Sequence, residues 1–190
     1  MKDNLCVEPG RRTGRFGFSF LRLQVNAGLK EVRTMINIYV DADSCPVKQE
    51  VYRVAIRYRL NVTLVSNSRI KLPENISARL VIVDDGLDAA DDWIAEHASY
   101  NDIVITSDIP LAARCLKKEA KVIGPKGHAF SEESIGDALA TRELMNHLRD
   151  LGETQTFQAP FEKRDRSRFL HQLDEVVQAL LKEKATPKTN

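Results

Sequence analysis

The sequence predicts an α/β protein, a three-layer α/β/α sandwich built on a mostly parallel sheet. Two observations predict the fold. Short apolar, β-branched runs alternate with stretches of helical periodicity, the pattern of βαβ units joined by right-handed crossovers. Three of those runs end in acids: residues 36–40 lead into Asp41 and Asp43, residues 80–83 into Asp84, and residues 103–105 into Thr106-Ser107-Asp108. In open parallel sheets ligands bind at the carboxyl ends of the strands. Fold and candidate chemistry are therefore predicted together, as one carboxylate cluster on one rim.

The elements follow in order. Residues 36–40 (Ile-Asn-Ile-Tyr-Val) read as a buried strand, ended by Asp41-Ala-Asp43-Ser-Cys45-Pro46. Residues 47–60 carry Val47, Val51, Val54, Ala55 and Tyr58 on one helical stripe, with Pro46 suited to a first turn and Ser44 or Cys45 near the cap. Residues 61–67 form a second strand, and a polar loop with Pro73 leads to a third at 79–84. Gly86 breaks that strand, and residues 87–99 form a helix with Leu87, Ala90, Trp93, Ile94 and Ala98 inward. A strand at 102–107, a helix at 110–119 and a short strand at 121–124 come next, then a turn, Gly124-Pro-Lys-Gly127. Ser131-Glu-Glu-Ser134 resembles a capping box and opens a helix to about residue 151. Residues 152–160 read as a linker. A final amphipathic helix at 166–184 presents Phe169, Leu173, Val176, Val177 and Leu180.

A chain of 190 residues, 43% hydrophobic, supports one well-cored domain plus appendages. Its net charge of +1 conceals an asymmetry. Residues 1–34 hold seven Lys or Arg against three Asp or Glu, while the remainder holds 21 against 24. A mildly acidic body argues against a basic protein that simply coats nucleic acid. Cys6, Cys45 and Cys115 are odd in number and widely spaced, without a CxxC pair, which points to a reducing, cytoplasmic compartment. No apolar run approaches the roughly 20 residues that span a bilayer. Arg11-Arg12 loosely resembles a twin-arginine signal, but Arg22 and Gln24 interrupt the apolar stretch. Met35 stands directly before the first strand, so residues 1–34 read as a disordered extension from an upstream start. The expected organisation is therefore this extension, an α/β domain at 35–151, a linker and C-terminal helix at 152–184 packing on the domain or on a partner subunit, and a disordered tail at 185–190.

The acids have simple explanations one at a time. Asp41 and Asp43 lie two apart and share a side if the strand continues. Asp88, Asp91 and Asp92 share the first turn of a helix, where the helix dipole favours acids. Asp108 suits a helix N-cap, worth about 1 kcal/mol. Together, however, they repel, and an oxygen-only donor set suits Mg²⁺ or Mn²⁺. Such an ion activates water and braces a phosphoryl displacement. Lys48, Asn67, Ser107 and Arg142 are candidate substrate contacts near the same rim. Arg142 and Arg149, with Lys163, Arg164, Arg166 and Arg168, make either a phosphate-holding surface or a solvated face. Cys45 has no histidine near it in sequence and reads as a structural thiol, and the four histidines show no metal spacing. Aromatic interleaving is sparse, so no stacking platform for single strands is expected.

From Met35 to about Leu180 the chain resembles the YaiI/YqxD family of uncharacterised bacterial proteins. The resemblance is carried by YVDADSCPVK at 39–48, VSN at 65–67, DGLDAAD at 85–91, DIVITSDIPLA at 102–112 and ATR at 140–142, with Pro160-Phe161, Asp165-Arg166 and Phe169. That family is similar in pattern to PIN-like domains, including NYN domains, which are metal-dependent ribonucleases. The likeness implies a strand order of 3-2-1-4-5 and a cytoplasmic phosphodiesterase acting on RNA. It implies that Asp41, Asp88 or Asp91, and Asp108 hold one or two Mg²⁺ or Mn²⁺ ions, with Asp43 auxiliary. Lys48 and Arg142 would then offset developing charge. Asp43 and Cys45 depart from the PIN pattern and belong to the narrower family. Two alternatives remain: a PIN-like module that binds RNA or a nucleotide without cleaving it, and a metal-dependent phosphatase of a small metabolite. The C-terminal helix also leaves a homodimer open.

Overall fold

The computed structural model describes residues 36–43, 45–84, 86, 88–150 and 160–185. By its contacts the chain divides into two units, Met1–Thr34 and Met35–Asn190, and all described residues belong to the second. The expectations for residues 1–34, for the linker at 152–160 apart from Pro160, and for the tail at 185–190 apart from Ala185, which instead ends the last helix, lie outside the described residues.

Five parallel strands, β1 (Asn37–Asp41), β2 (Asn61–Ser66), β3 (Ala78–Ile82), β4 (Ile103–Ile105) and β5 (Lys121–Ile123), join a short antiparallel β6 (Ala129–Phe130) in one sheet. The order is β3-β2-β1-β4-β5-β6. The chain winds outward from β1 to β3 and then returns to lay β4 against the other side of β1. This reversal lies between β1 and β4, and open α/β sheets bind ligands at such a point, outside the carboxyl ends of the strands. Val40 pairs with Ile105, so Asp41 and Thr106 are the next residues beyond that pair.

Strand side chains alternate between faces, and the two faces bury separate clusters. Ile38 and Val40 pack with α1 (Lys48–Tyr58) and α5 (Lys163–Ala185). Tyr39 and Val104 pack with α2 (Ala89–His97) and α3 (Ile109–Leu116), and Ile135 of α4 (Glu132–Asp150) joins them. The result is the expected α/β/α sandwich. In α5, Phe169, Leu173, Val177 and Leu180 are all fully buried, each stabilising the fold by about 1.5–3 kcal/mol. Arg57 and Tyr58 of α1 both bond Asp174 of α5, at 2.7 and 3.0 Å. Arg166 reaches the Pro46 carbonyl at 3.1 Å and the buried Glu50 carboxylate at 3.1 Å. No helix among the described residues is long and apolar enough to cross a membrane.

Several local expectations change. The turn after β5 runs into β6, closed by Gly124 N–H donating to His128 O at 2.7 Å; two residues are too short for a periodic signal. The helix α1 begins at Lys48 with Val47 as its N-cap, which makes no side-chain cap; Cys45, two residues earlier, is buried in the core. The helix α5 begins at Lys163, three residues before the predicted start. At the start of α4, Ser131 and Ser134 each accept the other's backbone N–H, at 3.1 and 2.9 Å. The reciprocal logic of a capping box is kept with Ser134 in place of the acid.

Candidate functional site

Asp41 ends β1 and is buried. Its Oδ2 accepts from Thr106 Oγ1 at 3.3 Å, and that hydroxyl in turn accepts from Asp108 N–H at 2.9 Å. Asp108 caps α3 through Oδ1, which accepts from Leu111 N–H at 2.9 Å. Its other oxygen accepts from Arg142 of α4 at 3.0 Å. Asp88 stands immediately before α2 in the left-handed region, at φ 64°, a conformation short polar side chains tolerate. Asp91 lies in the first turn of α2, half-buried. Burial, followed by the charges of Asp108, Asp41 and Asp88, pushes its pKa up from 3.8 to about 6, against the pull of Arg114. Carboxylates from three separate segments therefore lie within electrostatic reach of Asp91 at the crevice between β1 and β4.

Other candidates take different partners. Asp43 turns to β2, where its carboxylate accepts from Ser66 Oγ at 2.5 Å and from Asn67 N–H at 3.1 Å. The expected shared side with Asp41 fails because β1 stops at Asp41, and Asp43 is not among the charges that act on Asp91. Lys48 donates through Nζ to the carbonyl of Ala42, between the two acids. Asn67 and Ser107 are exposed at the ends of β2 and β4. Asp92 leaves the group and pairs with Arg114 at 2.7 Å. Of the basic residues on α5, Arg164 pairs with Glu162, Arg166 with Glu50 and Arg168 with Asp165, at 3.0, 3.1 and 3.7 Å. The Arg149 side chain lies outside the described residues. Burial pushes the Cys45 thiol up to about 11, despite Lys48 nearby, in keeping with a structural role.

Sequence reasoning passed over three features. Thr106 couples Asp41 to the start of α3; its signal was register, since Val104 and Thr106 share the face opposite Ile103 and Ile105. Arg114 opposes the charge on Asp91 from the next helix. Trp93 and His97, one turn apart, stack with ring centroids 3.7 Å apart.

The donor set at the crevice is oxygen-only, which suits a hard divalent cation, and the convergence of like charge favours one. In chemistry the residues fit such an ion. In the conformation described, no three His, Cys, Asp or Glu side chains among the described residues stand close enough together to hold it.

The fold and this crevice define an α/β/α sandwich protein with an acidic site at its topological switch point. The family model described as "Uncharacterized BCR, YaiI/YqxD family" matches residues 39–179, and the chain belongs to that family. It is 51% identical over 150 residues to a UPF0178 protein of Rhodospirillum centenum, covering 77% of this chain and 97% of the relative. It is 53% identical over 146 residues to one of Rhodospirillum rubrum, covering 76% and 97%. Against one of Rhodopseudomonas palustris it is 50% identical over 153 residues, covering 80% and 97%. No solved structure matches the chain.

Proposed function

We propose that this chain is a divalent-metal-dependent phosphodiesterase acting on RNA, with Asp41, Asp88, Asp91 and Asp108 holding Mg²⁺ or Mn²⁺. The observation that carries the reading is that the charges of Asp108, Asp41 and Asp88 all act on the half-buried Asp91, beside the carboxyl ends of the neighbouring strands β1 and β4. Partly buried like charges need a cation or a proton to neutralise them. A bound divalent ion supplies charge to the phosphate and lowers the pKa of a water. The pattern of Asp41, Gly86-Leu87-Asp88 and Thr106-Ser107-Asp108, which resembles that of PIN-like domains, favours RNA as the substrate class.

The chain's own groups have distinct tasks in this reading. Thr106 orients Asp41 by hydrogen bonding to Oδ2. Asp91, whose carboxyl is pushed up to about 6 by burial and by the neighbouring acids, would be held ionised at neutral pH by a bound cation. Lys48, held against the Ala42 carbonyl, brings a positive charge to the end of β1. Arg142 contacts Asp108 and is near enough to receive a phosphate oxygen when that contact opens. Asn67 and Ser107 offer uncharged contacts, and Asp43 acts indirectly by tying the loop after β1 to β2.

One observation favours a second reading, a module that binds RNA or a nucleotide without cleaving it: Arg142 already neutralises Asp108. Calorimetric titration of the full chain and its Asp41→Asn variant with Mn²⁺, followed by incubation with RNA, separates the two. Manganese binding lost in the variant, with RNA cleavage by wild type, is the expected result. Absence of manganese binding in wild type overturns the metal site, and binding without cleavage selects the module.

A further inference from the structure

Trp93 is the only tryptophan in the chain. It lies two residues, or about 200° of helix rotation, from Asp91 on α2, so it faces the β3 side of the sheet rather than the acidic crevice. His97 stacks on it nearly parallel, with centroids 3.7 Å apart and 12° between the planes. The His97 Nδ1–H donates to the Trp93 carbonyl at 2.8 Å, which holds the imidazole in place. Below them Tyr39 meets Trp93 at 6.2 Å and donates its hydroxyl to the His97 carbonyl at 3.2 Å. The guanidinium of Arg79, on edge strand β3, lies 5.7 Å from the Trp93 ring centroid. Its Nε is fixed on Thr63 Oγ1 at 2.9 Å.

Trp93 is half-buried, whereas His97 and Arg79 are exposed. The arrangement is an exposed imidazole stacked on Trp93, with the Arg79 guanidinium over the same indole. Those are the features on which unpaired bases stack. It is also close to the acids. Tyr39 precedes Asp41 by two residues, about 7 Å of strand, and His97 lies about 9 Å along the α2 axis from Asp91.

Against the sequence expectation of no stacking platform, we propose that Trp93 and His97 form one for a single unpaired base of a single-stranded RNA, the base lying on the exposed face of His97 while Arg79 attracts the adjoining phosphate. The proposal deepens the RNA reading above and rests on it for the substrate class. Stacking of this kind tolerates any base but requires a free face, so it selects single strands over duplex.

The test is a titration of the full chain with short oligoadenylate in EDTA, following Trp93 emission and the anisotropy of labelled RNA. A saturable change in emission is expected. His97→Ala should weaken binding roughly 5- to 150-fold, the range spanned by loss of one stacked base. His97→Phe, which keeps a flat ring, should restore it, and Arg79→Gln should weaken binding and flatten its salt dependence. Circular dichroism melts establish that the variants fold. Unchanged affinity in His97→Ala, or an equal response to duplex RNA, overturns the platform. Because metal is absent, the outcome is independent of the manganese titration. His97-dependent binding with no manganese site retains the platform and removes the nuclease, and manganese binding without His97-dependent RNA binding does the reverse.

Discussion

Replacing Asp91 by Asn should make the protein more stable, and only at higher pH. The carboxyl of Asp91 is raised from 3.8 to about 6 by burial and then by Asp108, Asp41 and Asp88. A shift of about two units corresponds to a ceiling of about 3 kcal/mol, at 1.36 kcal/mol per unit. The group is only partly out of water, and solvent screening reduces the expected value to about 1 kcal/mol. With its folded-state pKa above the unfolded value, the folded chain binds this proton more tightly. The Asp91 contribution is therefore neutral below about pH 4 and becomes unfavourable as pH rises through about 6. Asn is isosteric and does not titrate there. The variant's advantage should grow from near zero at about pH 4 to about 1 kcal/mol at about pH 8. Urea denaturation in EDTA, followed by far-ultraviolet circular dichroism at a series of pH values, measures the difference directly. Under the proposed metal reading, Mn²⁺ should shrink the advantage, because the ion stabilises the native charge. A variant less stable than wild type at the alkaline end, or a difference that does not vary with pH, would refute the carboxylate cluster.

Three further outcomes test the framework around the site. Gly127 has φ +76°, and a Cβ there would lie 2.6 Å from Phe169 N and 2.7 Å from Arg168 C. Gly127→Ala should therefore separate the β5–β6 turn from α5 and cost roughly 2 kcal/mol or more in urea denaturation. Gly136, inside α4, has nothing within 4 Å of a built Cβ, and Gly136→Ala should stabilise by about 0.5–1 kcal/mol. The thiols of Cys45 and Cys115 are both pushed up to about 11 by burial. Peptide mapping after alkylation at neutral pH should find both unlabelled until the protein unfolds, whereas rapid native labelling of Cys45 would contradict its structural role.

The order of elements was legible because its signals are local. Each apolar run is β-branched and short, and each helix carries its own periodic stripe. Phe169, Leu173, Val176, Val177 and Leu180 announced a buried face on α5; all but Val176 are fully buried, and Val176 packs partly buried against the same cluster. What that face covers was not legible. The contacts that seat α5 on α1, Arg57 with Asp174 and Arg166 with Glu50, join residues 117 and 116 positions apart. No window of sequence holds both partners. The central place of β1 came from family likeness rather than from periodicity, because every buried parallel strand reads alike. The two-residue strand β6 carries too little pattern to be read at all.

At the site, sequence spacing located the acids but not their neighbours. Asp41 and Asp43 look equivalent until β1 ends between them; one then faces Thr106 and the other Ser66. Asp108 shows why a capping explanation and a functional one do not compete. A carboxylate has two oxygens, and here one closes α3 while the other meets Arg142. The i, i+4 spacing of Trp93 and His97 was equally visible, yet its meaning depends on Arg79 and Tyr39, which arrive from strands far along the chain. Acidic crevice and aromatic platform use opposite sides of one short helix, α2, whose first turn carries Asp91 and whose last turn carries His97. A change that tilts α2 should disturb both at once. Asp91→Asn and His97→Ala each leave the helix backbone in place, so they can separate the two halves of the proposed site.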